Sequence, residues 1–154
     1  MGSFLSDDDI SKLRQAILKM DFLLGLPDEE IMQFIESLEK SHHKKGSTLI
    51  FQGEISNRLY LIAFGKVSVW VKPPKSQERL RVAELNAGDY FGEISLLEPI
   101  TASATLKAEE DTDLFSITRE KFTAIVDKFP GTTDLIRTKI QQRKEQLAKT
   151  QEKK

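Results

Sequence analysis

Two glycines bracket an aromatic pair, and a carboxylate follows, in Gly88-Asp89-Tyr90-Phe91-Gly92-Glu93. The apolar run Ile94-Ser95-Leu96-Leu97 comes next, then Glu98-Pro99-Ile100-Thr101, then Ala102-Ser103-Ala104 leading into Thr105-Leu106-Lys107-Ala108. Glycine tolerates the backbone angles of a sharp turn, and a short helix that starts after such a turn presents unpaired N–H groups. That layout suits an anion cradle. Such a cradle gains most from a side-chain cation, and no Lys or Arg stands between Glu93 and Lys107.

The elements that must carry this stretch are legible from periodicity. Ser6 is a good helix cap, and Ile10, Leu13, Ile17 and Met20 recur at helical spacing over about four turns, stopped by Gly25. Pro27 and Asp28 restart the chain as a second helix, with Ile31, Phe34, Ile35 and Leu38 on one face. From His42 the period changes. Leu59-Tyr60-Leu61-Ile62-Ala63, Lys66-Val67-Ser68-Val69-Trp70-Val71, Leu80-Arg81-Val82-Ala83-Glu84-Leu85, Ala104–Ala108 and Thr112–Ile117 read as short strands with glycine-marked turns, and Lys72–Glu78 as an exposed hairpin loop. Thr118 caps a further helix with Phe122, Ile125, Val126 and Phe129 as its stripe, and Pro130-Gly131 is expected to end it. A last helix, from about Thr133 to Thr150, has a thin stripe of Leu135, Ile136, Ile140 and Leu147, so it packs on the β core or pairs with a copy of itself.

Composition narrows the function classes. The chain has 154 residues, 39% hydrophobic and 31% charged, which allows one domain with a sensible core. A net charge of −1 gives no average bias toward nucleic acid, and no apolar run approaches the ~20 residues of a membrane span. The absence of cysteine removes disulfides, thiol catalysis and thiolate metal sites. His42-His43 would point to opposite faces of a strand, could not chelate one ion without other ligands, and read as a surface loop. Seven Lys or Arg within Arg137–Lys154 read as an exposed helix face. No catalytic constellation stands out, so an enzyme is not expected.

Lys45-Gly46, Leu49-Ile50-Phe51-Gln52-Gly53 and Leu59-Tyr60-Leu61-Ile62-Ala63-Phe64-Gly65-Lys66-Val67, followed by the Gly88–Leu97 stretch, resemble the cyclic nucleotide-binding domain of catabolite-activator and protein kinase A regulatory-subunit type. The resemblance covers roughly residues 20 to 150 and implies a mainly β fold with flanking helices. Its core would be a β-roll, or double-stranded jelly roll, behind N-terminal helices and ahead of two C-terminal ones. It divides one domain into an N-terminal helical segment (1–41), the β-roll (42–118) with a phosphate-binding-cassette-like segment (88–105), and hinge and lid or dimerisation helices (119–154). It implies a pocket at Phe91, Gly92, Glu93, Ile94, Ser95, Ala102 and Ser103. In the family, the Glu matched by Glu93 accepts a ribose hydroxyl, and backbone N–H groups matched by Gly92, Ile94 and Ser95 meet the cyclic phosphate. An Arg in the returning loop neutralises that phosphate, and its place here holds Ala102.

Losing that charge is costly. A charged hydrogen bond is worth about 1.5–3 kcal/mol and a stranded buried partner costs about 2–5 kcal/mol. Affinity therefore falls roughly ten-fold to several thousand-fold. The expected function is a stand-alone regulatory or adaptor module in cytoplasmic signalling, with a degenerate pocket, protein partners, and a homodimer through Leu135, Ile136, Ile140 and Leu147. cAMP or cGMP would bind weakly at most, and no cofactor or metal is required. The alternative is a true cAMP or cGMP receptor domain that binds through Glu93 and backbone amides. No membrane contact is expected. Direct DNA binding is not expected either, because the chain ends where the helix-turn-helix of catabolite-activator proteins would begin.

Overall fold

The computed structural model describes residues 5–23 and 25–152, without the side chains of Phe22 and of residues 147–152. Helix α1 (Asp7–Ile17) opens on a capping box, with the Asp9 N–H donating to Ser6 Oγ at 3.0 Å and the Ser6 N–H to the Asp9 carboxylate at 3.2 Å. Leu13, Ile17 and Met20 are buried as the helical spacing predicts, and Ile10 is partly buried. However, α1 ends at Ile17 rather than at Gly25, so it has about three turns and Met20 lies beyond it. Helix α2 (Asp28–Glu36) starts behind Pro27 and buries Phe34 and Ile35.

Ten strands follow among the described residues: β1 (Glu39–His43), β2 (Thr48–Ile50), β3 (Ile55–Ser56), β4 (Arg58–Phe64), β5 (Lys66–Val71), β6 (Leu80–Asn86), β7 (Tyr90–Phe91), β8 (Ile100–Thr101), β9 (Thr105–Ala108) and β10 (Thr112–Thr118). They form antiparallel sheets in the orders β1-β10-β4-β7 and β2-β9-β5-β6, with β3-β8 as a small third pair. This is a β-roll with flanking helices, as expected. The uninterrupted apolar run of β4 has a simple cause: both faces are buried. Leu59 and Leu61 pack under the helices with Phe115 and Ile117 of β10. Tyr60 and Ile62, with Leu114 of β10, face the second sheet, where they meet Ile50, Val67 and Leu106.

Helix α3 (Arg119–Val126) is capped by Thr118, whose Oγ1 accepts from the Lys121 N–H at 3.2 Å. Helix α4 (Pro130–Glu152) then runs back over the domain.

Four further local expectations need correction. Pro130-Gly131 opens α4 rather than separating two helices, because a proline at the first helical position gives up only an N–H that has no intrahelical partner. The β region begins at Glu39, earlier than His42, and His42-His43 lie in strand β1 rather than a loop. On β1 the two rings do diverge: His42 Nδ1 is 2.7 Å from Asp113 Oδ1, and His43 Nε2 is 2.9 Å from Ser41 Oγ. Strand β6 alternates in sequence but is exposed along nearly its whole length, since it is an edge strand on a projecting hairpin.

The thin stripe of α4 packs on the domain itself. Ile136 and Ile140 are fully buried in the helix-side core, so this arrangement withdraws them from a partner helix. Leu135 is 42% exposed, and Leu147 lies outside the residues whose side chains are described. Among the described residues no helix is long and apolar enough to cross a membrane.

Candidate functional site: a pocket under the last helix

The stretch Gly88–Ala108 is held by backbone pairing at both ends. The Gly88 N–H donates to the Ile62 carbonyl at 2.8 Å, and the Ile62 N–H donates to the Asp89 carbonyl at 2.9 Å. Asp89 Oδ2 accepts from the Asn86 N–H at 2.7 Å, which closes the turn. On the returning side the Ala102 N–H reaches the Glu54 carbonyl, and the Gly53 N–H reaches the Ala102 carbonyl, both at 2.8 Å. The chain is therefore fixed on either side of the cassette-like turn.

Gly92 makes that turn possible. Its φ is +88°, and a Cβ there would sit 2.5 Å from the Arg58 carbonyl oxygen of β4. No other residue fits both the angle and the approach. Behind it a short 3-10 helix spans Glu93–Leu96, as the sequence predicts. Ser95 is wholly buried and looks inward: its hydroxyl donates to the Arg58 and Gly92 carbonyls, and its N–H donates to the Gly92 carbonyl at 3.1 Å. Its own carbonyl accepts from Arg119 Nε at 2.8 Å.

A cavity of about 480 Å3 opens beside this turn. Phe91, Gly92, Glu93, Ile94, Ala102 and Ser103 all line it, so six of the seven pocket residues expected from sequence are brought together. Ser95, the seventh, is not in the lining. The remaining wall is mostly apolar, from Ile50, Val69, Leu85 and Leu106 of the second sheet. Phe91 stacks on Tyr60 with ring centroids 5.0 Å apart and an interplanar angle of 17°. Burial raises the pKa of the Tyr60 phenol. The cavity volume falls in the range of small-molecule sites.

The positive charges at this site come from α4. Glu93 is only 6% exposed, and its Oε1 accepts from Arg143 Nε at 3.0 Å. The guanidinium also lies 5.1 Å from the centre of the Tyr90 ring. Burial disfavours the charge on Arg143, but the Glu93 carboxylate beside it, with smaller contributions from Tyr90 and Asp21, more than offsets that and holds its pKa above the ordinary value. Lys144, the next residue, lines the cavity, and its ammonium pairs with the half-exposed carboxylate of Glu98. Lys139 Nζ donates to the Asp21 carbonyl at 3.0 Å, and Thr132 Oγ1 donates to both Glu30 oxygens at 2.9 and 3.0 Å. Helix α4 is thus tied to the domain at Thr132, Lys139, Arg143 and Lys144, the last two beside the pocket.

Reading the C-terminal cations as a solvated face missed this. The signal was present: Arg143 and Lys144 fall seven and eight positions after Ile136, on the helix face that Ile136 and Ile140 define.

The family model described as "Cyclic nucleotide-binding domain" matches residues 40–129, which contain both sheets and the whole cassette-like stretch. The chain is 35% identical over 106 residues to the cyclic AMP receptor protein of Thermus thermophilus, across 69% of this chain and 49% of that protein. It is 31% identical over 117 residues to cGMP-dependent protein kinase 2 of Homo sapiens, across 75% of this chain and 15% of that one. It therefore spans about half the length of the receptor and a small part of the kinase. Among solved structures, the N-terminal domain of a transcriptional regulator from Streptomyces coelicolor A3(2) shares the fold with a TM-score of 0.76 at 20% identity, across 88% of this chain and 94% of that one. Helix-flanked β-roll, glycine-gated turn and matched residues agree: the chain belongs to the cyclic nucleotide-binding domain family.

Proposed function

We propose that this chain is a non-enzymatic, cytosolic regulatory module that acts through protein–protein contacts, with a pocket that no longer retains a cyclic nucleotide. The observation that supports this reading is the Arg143–Glu93 pair at 3.0 Å. The carboxylate that the family resemblance assigns to a ribose hydroxyl is already engaged by a guanidinium of the same chain. A nucleotide must share that carboxylate with a guanidinium whose charged hydrogen bond is worth about 1.5–3 kcal/mol. Ala102 then offers its phosphate no charge in return. Leu80 and Val82 on the edge strand β6, together with Leu135 on α4, are apolar side chains left exposed for partner contact. Titration calorimetry with cAMP and cGMP tests the reading: no heat is expected, and low-micromolar affinity for either nucleotide refutes it.

Lys144 favours a second reading. It lines the same cavity, so a phosphate could take its cation from α4 instead of from the returning loop, and the chain would be a receptor domain after all. Measurable cAMP or cGMP affinity that drops about ten-fold in Lys144→Gln would decide for it.

A further inference from the structure

We propose that the cavity binds an apolar molecule carrying a single carboxylate, with its body among Ile50, Val69, Leu85 and Leu106 and its carboxylate on Lys144 Nζ. The inference rests on the reading above that the pocket has lost its nucleotide.

Each element of this ligand class follows from the charges and walls. The returning loop brings Ala102 where a cation would favour phosphate, so that wall is apolar. The buried carboxylate of Glu93 is neutralised by Arg143, which leaves no net negative charge at the turn for a cationic ligand. The two charged pairs at the site differ in strength. Glu93–Arg143 has one partner almost fully buried, whereas Lys144 and Glu98 are each exposed over two-fifths or more of their side chains (41% and 47%). Glu98 can turn to water with little loss, because exposed ion pairs are weak. An incoming carboxylate would then replace it on Lys144. The cavity of about 480 Å3 has room for a bicyclic aromatic body, and Phe91, itself stacked on Tyr60, lines it as a flat neighbour.

The test uses the full chain with naphthoate, its uncharged amide naphthamide, and cAMP. Calorimetry is expected to show naphthoate binding about two- to five-fold more tightly than naphthamide, and Lys144→Gln is expected to erase that difference. Methyl NMR is expected to place the shifts on Ile50, Val69, Leu85 and Leu106. Equal affinity for acid and amide, an unchanged ratio in Lys144→Gln, or shifts confined to other methyls would overturn the inference. If neither aromatic compound binds and cAMP does not either, the ligand assignment fails alone and the reading of a lost nucleotide site stands. Tight cAMP binding would sink that reading and this inference with it.

Discussion

Arg143 of α4 donates from Nε to Glu93 Oε1 at 3.0 Å across 50 positions of sequence, and Glu93 is nearly buried while the arginine is 30% exposed. One ion pair therefore joins α4 to the turn that defines the pocket. Its removal leaves a buried carboxylate without its partner. Arg143→Ala is expected to lose about 1–3 kcal/mol in urea unfolding. Glu93→Gln in the same chain should recover part of that loss, because the stranded charge disappears. A double-mutant cycle measures the coupling. Coupling indistinguishable from zero would mean that the pair does not hold α4 down.

Ala102→Arg restores a cation to the returning loop, on a backbone already fixed by its two 2.8 Å bonds to Gly53 and Glu54. A charged hydrogen bond of about 1.5–3 kcal/mol corresponds to roughly ten-fold to a hundred-fold. Calorimetry should show cAMP or cGMP affinity created or strengthened by that factor. A variant as weak as the parent would show that the α4 closure, not the missing charge, is the barrier.

Gly92 and Gly46 have nearly the same left-handed φ, +88° and +89°, but a Cβ at Gly46 meets nothing within 4 Å while one at Gly92 meets the Arg58 carbonyl at 2.5 Å. Gly46→Ala should cost about 1–2 kcal/mol, the strain of the angle alone. Gly92→Ala adds overpacking of about 1–3 kcal/mol more and should distort the turn. Equal losses in chemical denaturation would contradict the close approach.

Glu30 is 1% exposed, and its carboxylate accepts from Thr132 at the start of α4. Burial raises its pKa, and the Thr132 hydrogen bond only partly counteracts that. The sign follows from linkage: as pH rises above the unfolded value of 4.5, the unfolded chain ionises first and the folded state loses relative stability until Glu30 itself ionises. Stability from this residue is thus present at acid pH and lost as pH rises through the folded pKa. Glu30→Gln should remove that component, so melting temperatures of variant and parent should separate in the variant's favour between mildly acid and neutral pH. Parallel curves across that interval would count against it.

Through its family resemblance the sequence implied a β-roll; by itself it determined the short strands, the two N-terminal helices, the glycine-gated turn and the absence of a cation in the returning loop. Those features are written locally, in period-two and period-3.6 apolar spacing, in a glycine that must adopt positive φ, and in the residue types between Glu93 and Lys107. Some local patterns had two physical meanings. Pro130 could stop one helix or start the next, and the alternation of β6 describes a half-buried strand only when a second sheet covers one face. Only the tertiary structure decided which charges meet in the pocket. Arg143 and Lys144 carry the polarity of a solvated face, yet the path of α4, set by burial of Ile136 and Ile140 under the same domain, swings them over Glu93 and Glu98. A contact 50 residues apart depends on where a whole helix docks, and spacing along the chain does not encode that position.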